Sequence, residues 1–189
     1  MKQRVRFAKH GKVRFLSHRD IARVWERALR RSGVRAAYSE GFSPRPKLSF
    51  GLALSTGYES LGEYLDIDLH PEADIDPADL PAIVTPSLPD GMTAQLSIPL
   101  VPGTDSLQAA VTSSSWRIEV VGPESAALAD AVASALSREE LPIVVTRKGS
   151  DTTIDARSAI LALSIASEEN MLPPGVAPLR TSTLLDAEL

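Results

Sequence analysis

Residues 2–31 read KQRVRFAKHGKVRFLSHRDIARVWERALRR, and this stretch decides the fold class. Val5 and Phe7, then Val13 and Phe15, alternate with Arg4, Arg6, Lys12 and Arg14, which is the period of a strand with one buried face. Two extended pieces are therefore expected around His10-Gly11-Lys12, each apolar on one face and basic on the other. From Ser17 the period becomes helical: Ile21, Val24, Trp25, Ala28 and Leu29 fall on one stripe, and Arg19, Arg23, Arg27, Arg30 and Arg31 fall opposite it. Ser17 suits the N-cap, Asp20 the first turn and Gly33 the C-terminal cap.

Working outward, Tyr38 to Pro46 collects turn formers. Pro44 and Pro46, one residue apart, exclude a helix or a central strand, so an ordered loop is expected there. Lys47 to Thr56 and Glu63 to Leu69 alternate as strands, Asp74 to Asp79 suits the start of a short helix ending near Val84, and Thr93 to Val101 reads as a strand. Strand, helix, strand, strand, short helix, strand is the order of a split βαβ, ferredoxin-like unit. After a Ser-, Thr- and Gly-rich stretch a second pass begins: strand Trp116 to Val121, helix Glu124 to Arg138, then strands Leu141 to Lys148, Thr152 to Asp155 and Ala159 to Ile165. The chain closes with Leu172-Pro173-Pro174-Gly175 and a final turn over Thr183 to Glu188. The expected class is α+β: two tandem ferredoxin-like units with antiparallel sheets and helices on one face, the second abbreviated. The expected boundaries are a basic domain over 1–101, a linker over 102–115 and a second domain over 116–189.

Charge separates the two parts. The 189 residues carry a net charge of −4, yet residues 1–50 hold 14 basic side chains against Asp20, Glu26 and Glu40, giving +11, and the remaining 139 residues carry −15. Such asymmetry points to a polyanion-facing surface on the first domain. Arginine outnumbers lysine there by 10 to 4, and its planar fork pairs with phosphate and stacks on bases. Exposed aromatics at Tyr38, Phe42 and Tyr58 would supply stacking platforms, which favours single-stranded or structured RNA. The competing reading is an arginine helix docked on the acidic remainder of this chain or on an acidic partner protein. Without cysteine the chain has no disulfide framework, thiolate metal site or cysteine nucleophile, and His10, His18 and His70 are too scattered for a metal site. No cofactor is expected. No apolar run is long enough to span a membrane, and the expected location is the cytoplasm.

His18 would sit in the first turn of the arginine helix, where the helix dipole keeps an imidazole neutral. It would cap or bind phosphate there, or act as a base on a ribose hydroxyl. Gly41 to Gly51 forms a stiffened loop carrying Arg45, Lys47 and Ser49, expected beside His18 as one pocket. Glu63, Asp66 and Asp68 read as a solvated sheet face.

Several motifs together carry a family resemblance: Arg14-Phe15-Leu16-Ser17-His18-Arg19-Asp20, the arginine helix through Arg30-Arg31, Tyr38 through Gly51, and Gly57-Tyr58-Glu59-Ser60 with Glu63-Tyr64. The chain resembles the radical-SAM-linked family of bacterial domains of unknown function, closely over about residues 1–100 and loosely beyond. Members of that family stand fused behind a B12-binding-type radical SAM enzyme or as separate proteins beside one, commonly near a ribonuclease of the E/G type. The resemblance implies an accessory role in RNA modification or processing, with RNA and a radical SAM protein as partners. With no cysteine in this chain, the radical cluster would belong to another polypeptide. On this basis Arg19, Arg23, Arg27 and Arg30 are expected to contact phosphate, with His18, Arg45, Lys47 and Ser49 lining the pocket. A metal-independent endoribonuclease using His18 and an adaptor docking an acidic partner through the arginine helix are the alternatives.

Overall fold

A computed structural model describes residues 1–166 and 182–189. The chain is α+β and divides into two compact units, Met1–Val111 and Thr112–Leu189.

The first unit contains β1 (Lys2–Lys9), α1 (His18–Arg31), β2 (Leu48–Phe50), β3 (Ser60–Asp68), α2 (Leu80–Val84), β4 (Met92–Leu100) and α3 (Leu107–Ala110). Its strands form one antiparallel sheet in the order β2-β3-β1-β4. Because β3 lies between β1 and β2, these two run the same way and α1 must cross over one sheet face to join them. The alternation read from the sequence chooses that face. Val5 and Phe7 of β1 and Leu65 and Ile67 of β3 are buried against Ile21, Trp25 and Leu29 of α1, with Leu80 and Val84 of α2 in the same core. Trp25, fully buried, meets Phe7 edge-on at 5.2 Å between ring centroids. Each such side chain contributes roughly 1.5–3 kcal/mol on leaving water. Helix α1 starts where expected: the Ser17 hydroxyl oxygen accepts the Asp20 N–H at 3.2 Å and donates to the Asp20 carboxylate at 2.6 Å. That bond, chiefly, holds the Asp20 carboxyl below its ordinary range. The helix ends in Gly33 at φ +74°, the left-handed cap only glycine adopts freely.

Three local expectations fail for physical reasons. Gly11–Phe15 is a 3-10 turn, not a strand; only Val13 is buried, and Phe15 stays exposed under the Arg14 guanidinium, 4.8 Å from its ring centre. Four alternating residues were too few to tell a strand from one turn. Of the strand expected over Lys47 to Thr56, only Leu48–Phe50 pairs with β3. Within the expected linker, α3 buries Leu107.

The second unit contains β5 (Ser115–Val121), α4 (Ser125–Leu136), β6 (Pro142–Arg147), β7 (Ser150–Asp155), β8 (Ala162–Ile165) and β9 (Ser182–Glu188). Here β5, β9 and β8 form a three-stranded antiparallel sheet, and β6-β7 is a separate hairpin. This differs from a shortened repeat of the first unit. The stretch expected to be a final turn, Thr183 to Glu188, is the central strand β9, and it buries Leu185 and Ala187. Its Leu-Leu-Asp-Ala-Glu run alternates too briefly at a chain end to announce a strand. The expected Leu172-Pro173-Pro174-Gly175 ending lies outside the described residues.

Candidate nucleic-acid interface

Helix α1 presents Arg19, Arg23, Arg27, Arg30 and Arg31 to solvent. Arg23 reaches the Asp20 carboxylate at 3.4 Å, while the other four form no ion pair within their unit. Arg19 and Arg23, Arg23 and Arg27, and Arg27 and Arg31 are each four residues apart. Like charges at that spacing cost an exposed helix roughly 0.2–0.5 kcal/mol per pair. The stripe therefore works against helix stability, and it projects an unneutralised positive field.

The Tyr38–Pro46 loop is a closed hairpin. Tyr38 bridges Pro46, the Ser39 N–H donates to the Arg45 carbonyl at 2.8 Å, and the Arg45 N–H donates to the Ser39 hydroxyl at 3.1 Å. At its far end Phe42 is 109% exposed, a phenyl ring packed on nothing. Arg45, Lys47 and Ser49 are exposed along the following extended segment. Leu48 and Phe50 pack against the core, so Ser49, opposite Asp66, faces away from α1.

His18 is exposed at the first position of α1, its ring edge-on to Phe50 at 5.1 Å. Five steps along extended chain, about 16 Å, carry Phe50 to Arg45. The structure thus places His18 at one end of α1, Arg45 beside Ser39 well away from it, and Ser49 on the other sheet face. His18, Arg45, Lys47 and Ser49 do not line one pocket.

Near His18 instead stands Glu63, with Lys9 beside it. Lys9 is 3% exposed, with Nζ donating to the Leu16 carbonyl at 3.5 Å; burial lowers its pKa, and the nearby Glu63 partly opposes that. Glu63 is half-buried. Burial raises its pKa, opposed by a hydrogen bond from Ser60 and by the charges of Lys9 and His18. The solvated acidic face expected at Glu63, Asp66 and Asp68 is therefore corrected. Glu63 shares the helix-side phase of Leu65 and Ile67, whereas Asp66 lies on the opposite face, 3% exposed and ion-paired to Arg4. Phase alone could have found both groups, since Lys9 is in register with Val5 and Phe7.

Among the described residues no group of three His, Asp or Glu side chains is placed to hold a metal ion, and no helix is long and apolar enough to cross a membrane. The model of a family described as "Uncharacterized protein conserved in bacteria (DUF2344)" matches residues 2–185. The chain belongs to that family. The DUF2344 match runs from β1 into β9, so it takes in both units and not only the basic one. No curated protein matches the chain.

Proposed function

We propose that this chain is an RNA-binding accessory protein that works with a separate radical SAM enzyme in RNA modification or processing, its first unit serving as a ferredoxin-like platform. The observation that carries the reading is the α1 stripe: five exposed arginines, four of them without an ion pair in their unit, with Arg19, Arg23, Arg27 and Arg31 at a like-charge spacing that costs stability. An acidic protein would satisfy the charge equally. The preference for arginine, the exposed Tyr38 at the helix's C-terminal side and the exposed Phe42 favour a ligand that offers both phosphates and flat bases. The radical SAM partner, and a ribonuclease of the E/G type near it, come from the family resemblance. Since the chain has no cysteine, it would present RNA while its partner performs the chemistry.

Filter binding of the purified chain to RNA across a salt series tests this. Affinity should fall steeply with salt as counterions are released. Absence of binding at low ionic strength, or binding indifferent to salt, overturns the reading. A pull-down from lysate that survives nuclease treatment would support the acidic-adaptor alternative.

One observation favours a second reading, a metal-independent endoribonuclease. His18 has a carboxyl neighbour, Glu63, whose pKa burial raises, so a base and an acid stand near the arginine stripe. His18 would take the ribose 2′-hydroxyl proton, Glu63 would return one to the leaving oxygen, and Arg19 would stabilise the developing charge. Cleavage of labelled RNA in chelator that disappears with His18→Ala would establish it; unchanged cleavage by that variant would refute it.

A further inference from the structure

The C-terminal end of α1, where the arginine stripe reaches Arg30, carries a further feature. Arg30, Arg35, Tyr38 and His70 line an open groove of about 430 Å³. The backbone fixes its walls: Ala36 bridges Leu69, and the His70 N–H donates to the Arg35 carbonyl at 2.8 Å. The Glu72 N–H donates to His70 Nδ1 at 3.3 Å, so Nδ1 is the acceptor and Nε2 the donor of the ring. Tyr38, pinned through its backbone to Pro46, keeps half of its surface in solvent. Among the described residues Arg30 forms no ion pair. Arg35 reaches Glu72 at 3.6 Å, but both side chains are mostly exposed, so the pair is weak and exchangeable. The negative end of the α1 dipole would repel an anion here, yet it amounts to about half a charge, against the full charges of Arg30 and Arg35.

We propose that this groove takes one unpaired nucleotide of a single-stranded RNA. The base lies on the Tyr38 ring, the phosphate sits between Arg30 and Arg35, and His70 Nε2 donates to a phosphate or ribose oxygen. The inference rests on the RNA reading and deepens it: the Arg19, Arg23, Arg27 stripe would hold backbone, and the groove at its end would hold a splayed base. Aromatic platform plus fixed donors is how unstacked bases are bound, and the volume lies in the range of small-ligand sites. A base-paired nucleotide would not offer its face to Tyr38, so the ligand is single-stranded.

The test uses the full chain, with an unstructured RNA octamer, adenosine and uridine monophosphates, and inorganic phosphate as probes, followed by NMR. A mononucleotide is expected to shift the Gly33, Tyr38 and His70 signals at millimolar concentration, with inorganic phosphate far weaker. Tyr38→Ala should weaken octamer binding roughly 5- to 100-fold, Tyr38→Phe should restore it, and Arg23→Ala should weaken the octamer without changing mononucleotide binding. Circular dichroism checks folding, and Arg30→Ala, on an exposed side chain, stands in should Tyr38→Ala unfold. If Arg23→Ala weakens the octamer while Tyr38→Ala and Arg30→Ala change nothing, the groove proposal is wrong and the RNA reading survives. If inorganic phosphate binds as well as the mononucleotides, no base is read and the proposal is overturned. If neither octamer nor mononucleotide binds, both readings fail.

Discussion

Arg4 and Asp66 stand opposite each other on β1 and β3 and close a two-pronged ion pair, Nε to Oδ1 at 2.8 Å and Nη2 to Oδ2 at 3.1 Å. The pair lies on the sheet face away from α1 and α2. The same Arg4 Nη2 also donates to the Asp105 carbonyl at 3.1 Å, which ties the segment after β4 across that face. Removing one partner leaves the other charge desolvated, so Asp66→Ala is expected to lower stability by about 3 kcal/mol. Arg4→Lys should lose most of the two-pronged geometry and recover little. Urea denaturation reads both; a loss below about 0.5 kcal/mol for Asp66→Ala would show that water screens the pair.

Lys9 and Glu63 predict opposite pH dependences. The Lys9 pKa is lowered, so between that value and about 10.4 the unfolded chain binds more protons, and stability rises with pH across this alkaline window. The Glu63 pKa is raised, so the folded chain binds more protons from about 4.3 up to the raised value, and stability falls as pH rises there. Glu63→Gln should erase the acid-side fall and push Lys9 lower still, since Glu63 is the charge that opposes its desolvation. Carbon NMR of the Lys9 side chain checks this directly. A Lys9 midpoint at the ordinary lysine value, or one indifferent to Glu63→Gln, would mean the two groups are solvated and uncoupled.

Much of the first unit was legible because two periods are unambiguous in it. The helical stripe of Ile21, Trp25, Ala28 and Leu29 is buried as read, and Ser17 and Gly33 bound the helix as their chemistry requires. The Gly11–Phe15 turn and strand β9 were not legible, because a few alternating residues suit a strand and a turn equally and only tertiary packing chooses. The candidate site was legible as chemistry but not as geometry. The arginine face follows from helical phase, whereas whether His18 meets Arg45 depends on how far the edge strand carries the chain from Phe50. Lys9 and Glu63 were visible as polar residues in the buried phase, a signal that the surrounding basic pattern obscured.

The arginine stripe predicts that binding and stability separate. Arg19→Ala and Arg27→Ala should each reduce the slope of log affinity against log salt by about 0.7 for a single strand. Among the described residues neither side chain has an ion pair to lose, and each removal relieves a like-charge neighbour, so the folded protein should be unchanged or firmer by a few tenths of a kcal/mol. Salt-series binding and thermal melting on the same preparations measure both. If the two variants melt lower and bind as before, the stripe is structural.

Gly91 predicts a stability effect remote from any binding surface. It precedes β4 at φ +88°, and its carbonyl accepts the His10 N–H at 2.8 Å, closing the turn after β1 against the start of β4. An added Cβ would collide with the His10 carbonyl oxygen and crowd Val13 Cγ2 at 3.1 Å. The first neighbour is backbone, which cannot rotate away, and the left-handed φ alone costs a non-glycine residue about 1 kcal/mol. Gly91→Ala is therefore expected to lose about 2 kcal/mol or more. For a unit of this size that is a fall in melting temperature of roughly 8–16 °C. RNA affinity below the transition should not change, because α1 keeps its own cap and core contacts. An unaltered melting temperature would mean that the His10 and Gly91 turns separate at no cost, and that β1 and β4 are held by their ladder alone.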